Sequence, residues 1–351
     1  MDTREGYTGH TIWVTDLVER MGDLLPVPTA IAGVVTVGLL PYVLTAAFVL
    51  MTSGAQTVPF VVVQTLAATV AVVGPVFIWH YDEHVFPTFV SEVGDVVVDD
   101  RALVATVERY ERFFCDRYWL IAVPWTALII AALVANVEYF VSLGVAGPAD
   151  PAFLTYLVFA LWWSVITGIG LHGALTTVLC VRAVGDLELT IDPLHHDGLG
   201  GLSTIGYFSI RATLMNSVGS FTLPLAFSIA AGGTFQTLVY VAVAGYIGFI
   251  LVSFVYPTIY VNRRAQEVRE RTLKEKRERI RSLQARAAAG DTGGELARLE
   301  TQLKIRTLRD DFHEYQDVNL YPLSVSILVR LGSSVLLPIL FTVIDTYVFT
   351  T

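Results

Sequence analysis

Lysine is almost missing from this chain: only Lys274, Lys276 and Lys304 stand against 20 arginines among 351 residues. None lies in the last apolar run, which removes the attachment point for a retinal Schiff base. Charged residues of all kinds make up 16 % of the sequence against 54 % hydrophobic ones. Uncharged runs of 18 or more residues then exclude an ordinary soluble protein. No Asp, Glu or Lys falls near the middle of any run, so a proton-coupled carrier lacks its relay. No inverted repeat is evident. Neither a P-loop nor a nucleophile-elbow motif occurs, which withdraws support from ATP-driven and serine-hydrolase chemistry. Two cysteines, Cys115 and Cys180, are too few for a disulfide framework and read as free thiols. Residues 1–25 carry five acids and two arginines instead of the basic start of a cleavable signal, so the N-terminus is expected to be retained.

What is present reads as an all-α polytopic membrane protein. Seven apolar segments are long enough to cross a bilayer: 27–51, 57–79, 118–141, 152–180, 204–230, 235–261 and 322–349. All 23 Lys and Arg fall on or near one side of them, and the loops 52–57, 138–151 and 231–236 contain none. The positive-inside rule makes that side the cytoplasm, with a cytosolic N-terminal segment 1–26 and an extracellular C-terminus. The acidic balance of −9, with few lysines and much Val, Ala and Thr, resembles proteins of halophilic archaea, whose acidic surfaces stay hydrated in strong salt.

Two cytosolic elements extend the bundle, which otherwise fills 27–261. In 100–117, Leu103, Val104, Val107, Tyr110 and Phe114 recur at helical spacing, which predicts an amphipathic helix. Residues 262–319 form a charged segment interrupted by AGDTGG at 289–294, which predicts a helical hairpin. Its arms carry net charges of +6 (263–286) and −3 (291–317), and opposite signs suit antiparallel packing. Val261, Ala265, Val268, Leu273, Ile280 and Leu283 are expected to face Leu296, Leu299, Leu303, Leu308 and Phe312. The hairpin is either a stiffener of the last two spans or a stalk for self-association or for a cytosolic partner. A lipid bilayer and a homo-oligomer are the expected partners, and no nucleic acid is expected.

Three places carry candidate chemistry. The loop DPLHHDGLGG (192–201) reads as a metal site, an anion cradle or a tight turn re-entering the membrane. The metal reading joins His195, His196 and Asp197 to His80 and His84, which one helix would offer at i and i+4 to a transition metal, zinc or iron. His313 belongs to a third cluster, whereas His172, flanked by Gly168, Gly170 and Gly173, reads as an interhelical hydrogen bond. In the last run, Arg330, Ser333, Ser334, Pro338 and Thr342 recur every three to four residues, with Asp345 three further on, as a pore or gate face would. The competing reading lets Arg330 and Arg211 sit at the headgroups, where either attracts an anion or a lipid phosphate.

Seven spans, an inside N-terminus and a cytosolic helical extension before the last span resemble the insect gustatory and odorant receptor-like superfamily. That resemblance implies a ligand-gated cation channel whose last helix lines a tetrameric pore. The family's final helix carries a TY…QF signature, whereas here Thr346-Tyr347 stands at the outer end with no Gln following. The HHDGLGGL loop is similar to the HPD-x-x-GGL loops of uncharacterised prokaryotic multi-pass membrane proteins, a similarity that implies no activity. The readings carried forward are a receptor-like channel or sensor, a metal-dependent membrane enzyme at the cytosolic interface, and a scaffold.

Overall fold

The computed structural model describes residues 9–53, 58–190, 201, 203–288 and 295–317. These residues are helical throughout apart from turns and one isolated bridge, Val97 with Leu189. Six helices are long and apolar enough to cross a membrane: Thr29–Thr52, Val61–Val93, Asp100–Ala135, Pro151–Gly185, Thr204–Gly232 and Gln236–Ala288. The chain is a multi-pass membrane protein. The seventh expected span, 322–349, lies outside the described residues.

In chain order the elements are α1 (Trp13–Leu24), α2 (Thr29–Gly33), a π-helical turn Val34–Leu39 and α3 (Leu40–Thr52). There follow α4 (Val58–His80), a second π turn Tyr81–Val85, α5 (Phe86–Val93), α6 (Asp100–Arg117), α7 (Trp119–Ala135) and α8 (Val137–Ser142). Then come α9 (Pro151–Gly185), α10 (Ser203–Ser217), a 3₁₀ turn Val218–Thr222, α11 (Leu223–Gly232), α12 (Gln236–Ala288) and α13 (Glu295–Asp317). Helix α9 is the hub, packed by α3, α4, α6, α7, α10 and α12. Small residues set its crossings. A Cβ added at Gly168 would lie 2.6 Å from the Ala122 Cα, so spans three and four touch backbone to backbone there.

Two cores form at different depths. At the arginine-rich end, α1, α5, α6 and the near ends of α9 and α10 enclose Phe89, Val93, Leu103, Val107, Val181 and Ile205. Phe89 and Phe208 stack at 4.0 Å and 9°, with Phe86 edge-on to Phe208, Tyr81 stacked on Phe208 at 6.0 Å and Phe114 edge-on to Tyr81. Helix α6 covers the residues whose spacing predicts it. Its N-cap, Asp99, accepts from the amides of Arg101 and Ala102 at 2.9 and 3.2 Å, and Leu103, Val107 and Phe114 are its buried stripe. The other core, toward the uncharged end, packs Tyr139, Phe140, Phe153, Tyr156 and Phe159 against α4, α11 and α12.

Helix α12 runs on past the apolar region, and α13 folds back along it. At the base, Asp186 accepts from the Tyr260 hydroxyl at 2.5 Å and pairs with Arg264. That hydroxyl and guanidinium hold the Asp186 carboxyl below its ordinary value. Arg269 donates to the Tyr315 carbonyl at 3.1 Å, Lys276 pairs with Asp311 at 3.0 Å, and Arg277 lies over the Phe312 ring. Of the expected seam, Ala265, Val268, Leu273, Ile280 and Leu283 are buried or half-buried on α12, as are Leu308 and Phe312 on α13. Thr301, Ile305, Leu308 and Phe312 are the half-buried line of α13, whereas Leu296, Leu299 and Leu303 are 60–85 % exposed. The cations of α12 choose the carbonyls and rings at the base of α13, and that choice turns its first leucines outward.

Candidate functional site

The sequence-predicted residues are reached only in part. His195, His196 and Asp197 lie outside the described residues, as do Arg330, Ser333, Ser334, Pro338, Thr342 and Asp345. His80 and His84 are described, at the end of α4 and in its π turn. Both are exposed, and their rings stack at 5.1 Å and 27°, with Trp79 edge-on to His84. Among the described residues, no group of three or more His, Cys, Asp or Glu gathers in a way that would hold a metal.

The π turn brings a different residue inward. Asp82 is buried and accepts from the Ile12 amide at 3.1 Å and the Thr15 hydroxyl at 2.8 Å. It therefore caps the start of α1 from another helix, where orphan amides and the helix dipole favour an acid. Cys115 adds a third tie, its thiol donating to the His10 carbonyl at 3.2 Å. His172 is fully buried, with Nε2 3.0 Å from the Phe113 carbonyl and the Phe113 ring at 4.7 Å. A nitrogen facing a carbonyl must donate, so His172 clamps α6 to span four.

The most pronounced irregularity is in span five. Between α10 and α11 the chain tightens to 3₁₀ over Val218–Thr222, halfway along the apolar stretch. Proline at 224 has no amide to continue the ladder, and the sequence around it, NSVGSFT, supplies substitutes. Ser217 donates to the Leu214 carbonyl at 2.7 Å, Ser220 to Ser217 at 2.5 Å and Thr222 to Gly219 at 2.7 Å. The Asn216 carbonyl is taken by the hydroxyl of Tyr246, from α12, at 2.9 Å. Gly219 makes room for it, since a Cβ there would lie 2.3 Å from that hydroxyl oxygen. Broken backbone at membrane depth persists where neighbouring hydroxyls satisfy it or where it lines a cavity.

Here it does both. A cavity of about 90 Å³ adjoins the break, walled by Phe77, Tyr81, Ile166, Ala212, Asn216 and Gly219, among others. A second, of about 70 Å³, lies beside it among Ile129, Leu133, Leu225 and Val243. Trp125, Trp163, Thr222 and Tyr246 belong to both walls. The Trp125 indole is spent on Thr167 at 2.9 Å, and the Asn216 amide on the Ala212 carbonyl at 2.8 Å. The chamber thus presents mainly aromatic faces and methyl groups, with the Trp125 indole, the Asn216 amide and the Thr222 hydroxyl already paired. Such a space stays dry and accepts apolar molecules.

None of Trp125, Trp163, Asn216 or Tyr246 stands out in the sequence as a site residue. The available signal was the cluster of Asn, Ser, Gly, Thr and Pro inside one apolar run. The chain matches no family model, no curated protein and no solved structure.

Proposed function

We propose that this membrane protein is a receptor-like sensor of a small apolar ligand. One observation carries the reading: at a single depth a broken span meets an apolar cavity, and Tyr246 in its wall belongs to the helix that continues as the stalk. Ligand sites favour such places, between packed spans and at discontinuous helices. A ligand that displaces Tyr246 exchanges its bond to the Asn216 carbonyl for another arrangement of α12. The arginine-rich end is assigned to the cytosol of a cell-membrane protein, so the α12–α13 hairpin is the output, meeting either a second copy or a cytosolic partner. In the channel form of this reading, residues 322–349 line the conducting path.

The test uses protein reconstituted in phospholipid nanodiscs, with bromobenzene as a contact quencher of tryptophan. A saturable quenching component is expected above the linear one from lipid partitioning, and Ala212→Phe, which fills the chamber, should abolish it. Spin labels at Ala146 and Ser282 should change separation as the saturable component fills. Linear quenching alone would remove the ligand site, and saturable binding without a distance change would remove the sensor.

A further inference from the structure

A second site stands apart from the chamber, where α6 meets span four. Arg109, Arg112, Phe113, Asp116 and Arg117 of α6 line an open hollow of about 370 Å³ with Leu179 of α9 on its far wall. Three of these are exposed arginines. Arg112 donates from Nε to the Glu108 carbonyl at 3.3 Å, lies 3.8 Å from the Glu108 carboxylate and is 57 % exposed, and Arg109 lies over Tyr110 at 5.9 Å. The hollow is firmly placed, because the Phe113 carbonyl is the one His172 clamps.

Its depth can be read from α7, which continues α6. Trp119, Leu120 and Val123 are 46, 44 and 61 % exposed, which on a spanning helix marks the start of the lipid-facing surface, with Trp119 at the interface. At about 1.5 Å per residue, Arg117 lies ~3 Å, Arg112 ~10 Å and Arg109 ~15 Å beyond Trp119 along the axis. A headgroup layer is about 5–7 Å thick in each leaflet. Arg117 falls within it, Arg112 stands ~3–5 Å past its aqueous edge and Arg109 ~8–10 Å past it, so only Arg117 and Arg112 reach the phosphate plane with their long side chains. Guanidinium forks match phosphate oxygens in pairs, as a single ammonium does not. Phe113 and Leu179 back the arginines with an apolar wall, and Phe113 lies ~9 Å beyond Trp119 on the same count, outside the acyl region.

We propose that this hollow binds the headgroup of an anionic phospholipid, its phosphate at Arg117 and Arg112, Arg109 at the outer end of the headgroup, and its chains running past Trp119 into the bilayer. Asp116 in the lining and Glu108 beside Arg112 are the opposing charges. A phosphate ion alone shares the headgroup's chemistry but has no acyl chain to hold it beside Arg117.

Delipidated protein in mild detergent, offered phosphatidylglycerol or phosphatidylcholine and weighed by native mass spectrometry, tests this. Phosphatidylglycerol should be retained preferentially, each Arg→Gln change at 109, 112 or 117 should weaken retention about five-fold, and Asp116→Asn should strengthen it. The Asp116 variant removes no arginine, so it stays informative if the triple variant misfolds. Equal retention of phosphatidylcholine, undiminished retention in R109Q/R112Q/R117Q, or weaker retention in Asp116→Asn overturns the proposal. So does displacement of the lipid by millimolar inorganic phosphate at constant ionic strength, which would make the hollow a soluble-anion site.

Discussion

The core at the arginine-rich end and the chamber beside Trp125 and Trp163 are built from the same kinds of residue, yet one is interlocked and the other hollow. Around Phe89 and Phe208 the rings stack within 4.0 Å and polar Asp82 is bonded to α1. Around Trp125 and Trp163 two cavities remain. The difference follows from the surroundings. The first core includes Ile12 and Val14 at the start of α1, and Val96, Val97 and Leu189. These lie outside the six apolar helices and so leave water on folding with the full transfer energy, ~25 cal/mol per Å². Inside a bilayer the alternative to packing is a lipid chain as apolar as the protein, so only dispersion and hydrogen bonds distinguish a filled site from a hollow one. Empty space is therefore tolerated at the depth where a ligand would use it.

Substitutions can break this contrast, and the largest effect belongs to the filled core. Phe89→Ala should cost about 3–5 kcal/mol, since it leaves a void among rings that cannot collapse, and thermal unfolding in detergent should show it. Equal tolerance of Phe89→Ala and Ala212→Phe would erase the distinction. Next comes Asp82→Ala, which takes the acceptor from both the Ile12 amide and the Thr15 hydroxyl. A loss of about 1–3 kcal/mol is expected because two buried donors are left without a partner, read as faster amide exchange confined to α1. Uniform exchange across the bundle would mean that α1 is not held there.

Tyr246→Phe should cost less, about 0.6–2 kcal/mol, because it frees only the Asn216 carbonyl at the break. A selective loss of 3₁₀ order at 218–222, seen by exchange, is the signature that sharpens the comparison. The smallest effect belongs to Asp186, at the surface base of the stalk. Its carboxyl is held below the ordinary value, so its contribution is complete above that value and disappears as pH falls through the lowered one. Between pH 7 and pH 5 wild type and Asp186→Asn should therefore differ by a constant amount, under about 1 kcal/mol for so exposed a pair, and should converge only in more acidic solution. A difference that shrinks already between pH 7 and pH 5 would assign the titration to another group.

Hydropathy and spacing make the helices legible, because run length is a local property: α6 occupies 100–117, where its apolar stripe predicts it. The breaks are harder to read. A π turn at Tyr81–Val85 shifts the pattern by a single residue, too little to register against a helical period, and that shift is what turns Asp82 inward beside the exposed His80 and His84. The 3₁₀ turn in span five was written in NSVGSFT but averaged away within an apolar window. The chamber is not local at all, since Phe77, Trp125, Trp163 and Tyr246 come from four helices and only their packing defines a space. The hairpin seam was legible over Leu308 and Phe312, but leucine spacing also extended it to Leu296, Leu299 and Leu303, which are exposed, while Arg269 and Lys276 engage the other end of α13.

Helix α12 is 53 residues long, with Pro257 inside it. A proline there cannot bond to the carbonyl one turn earlier, that of Ser253, which makes this point the softest of the rod. Tyr246 lies on one side of it and the whole stalk on the other, so Pro257 acts as a fulcrum between a short arm and a long one. From Pro257 to Ala288 the long arm measures about 46 Å at 1.5 Å per residue. A tilt of about 5° at the proline would carry the stalk tip ~4 Å, roughly the width of a methyl group, while the arm beside the Asn216 carbonyl moved about a third as far.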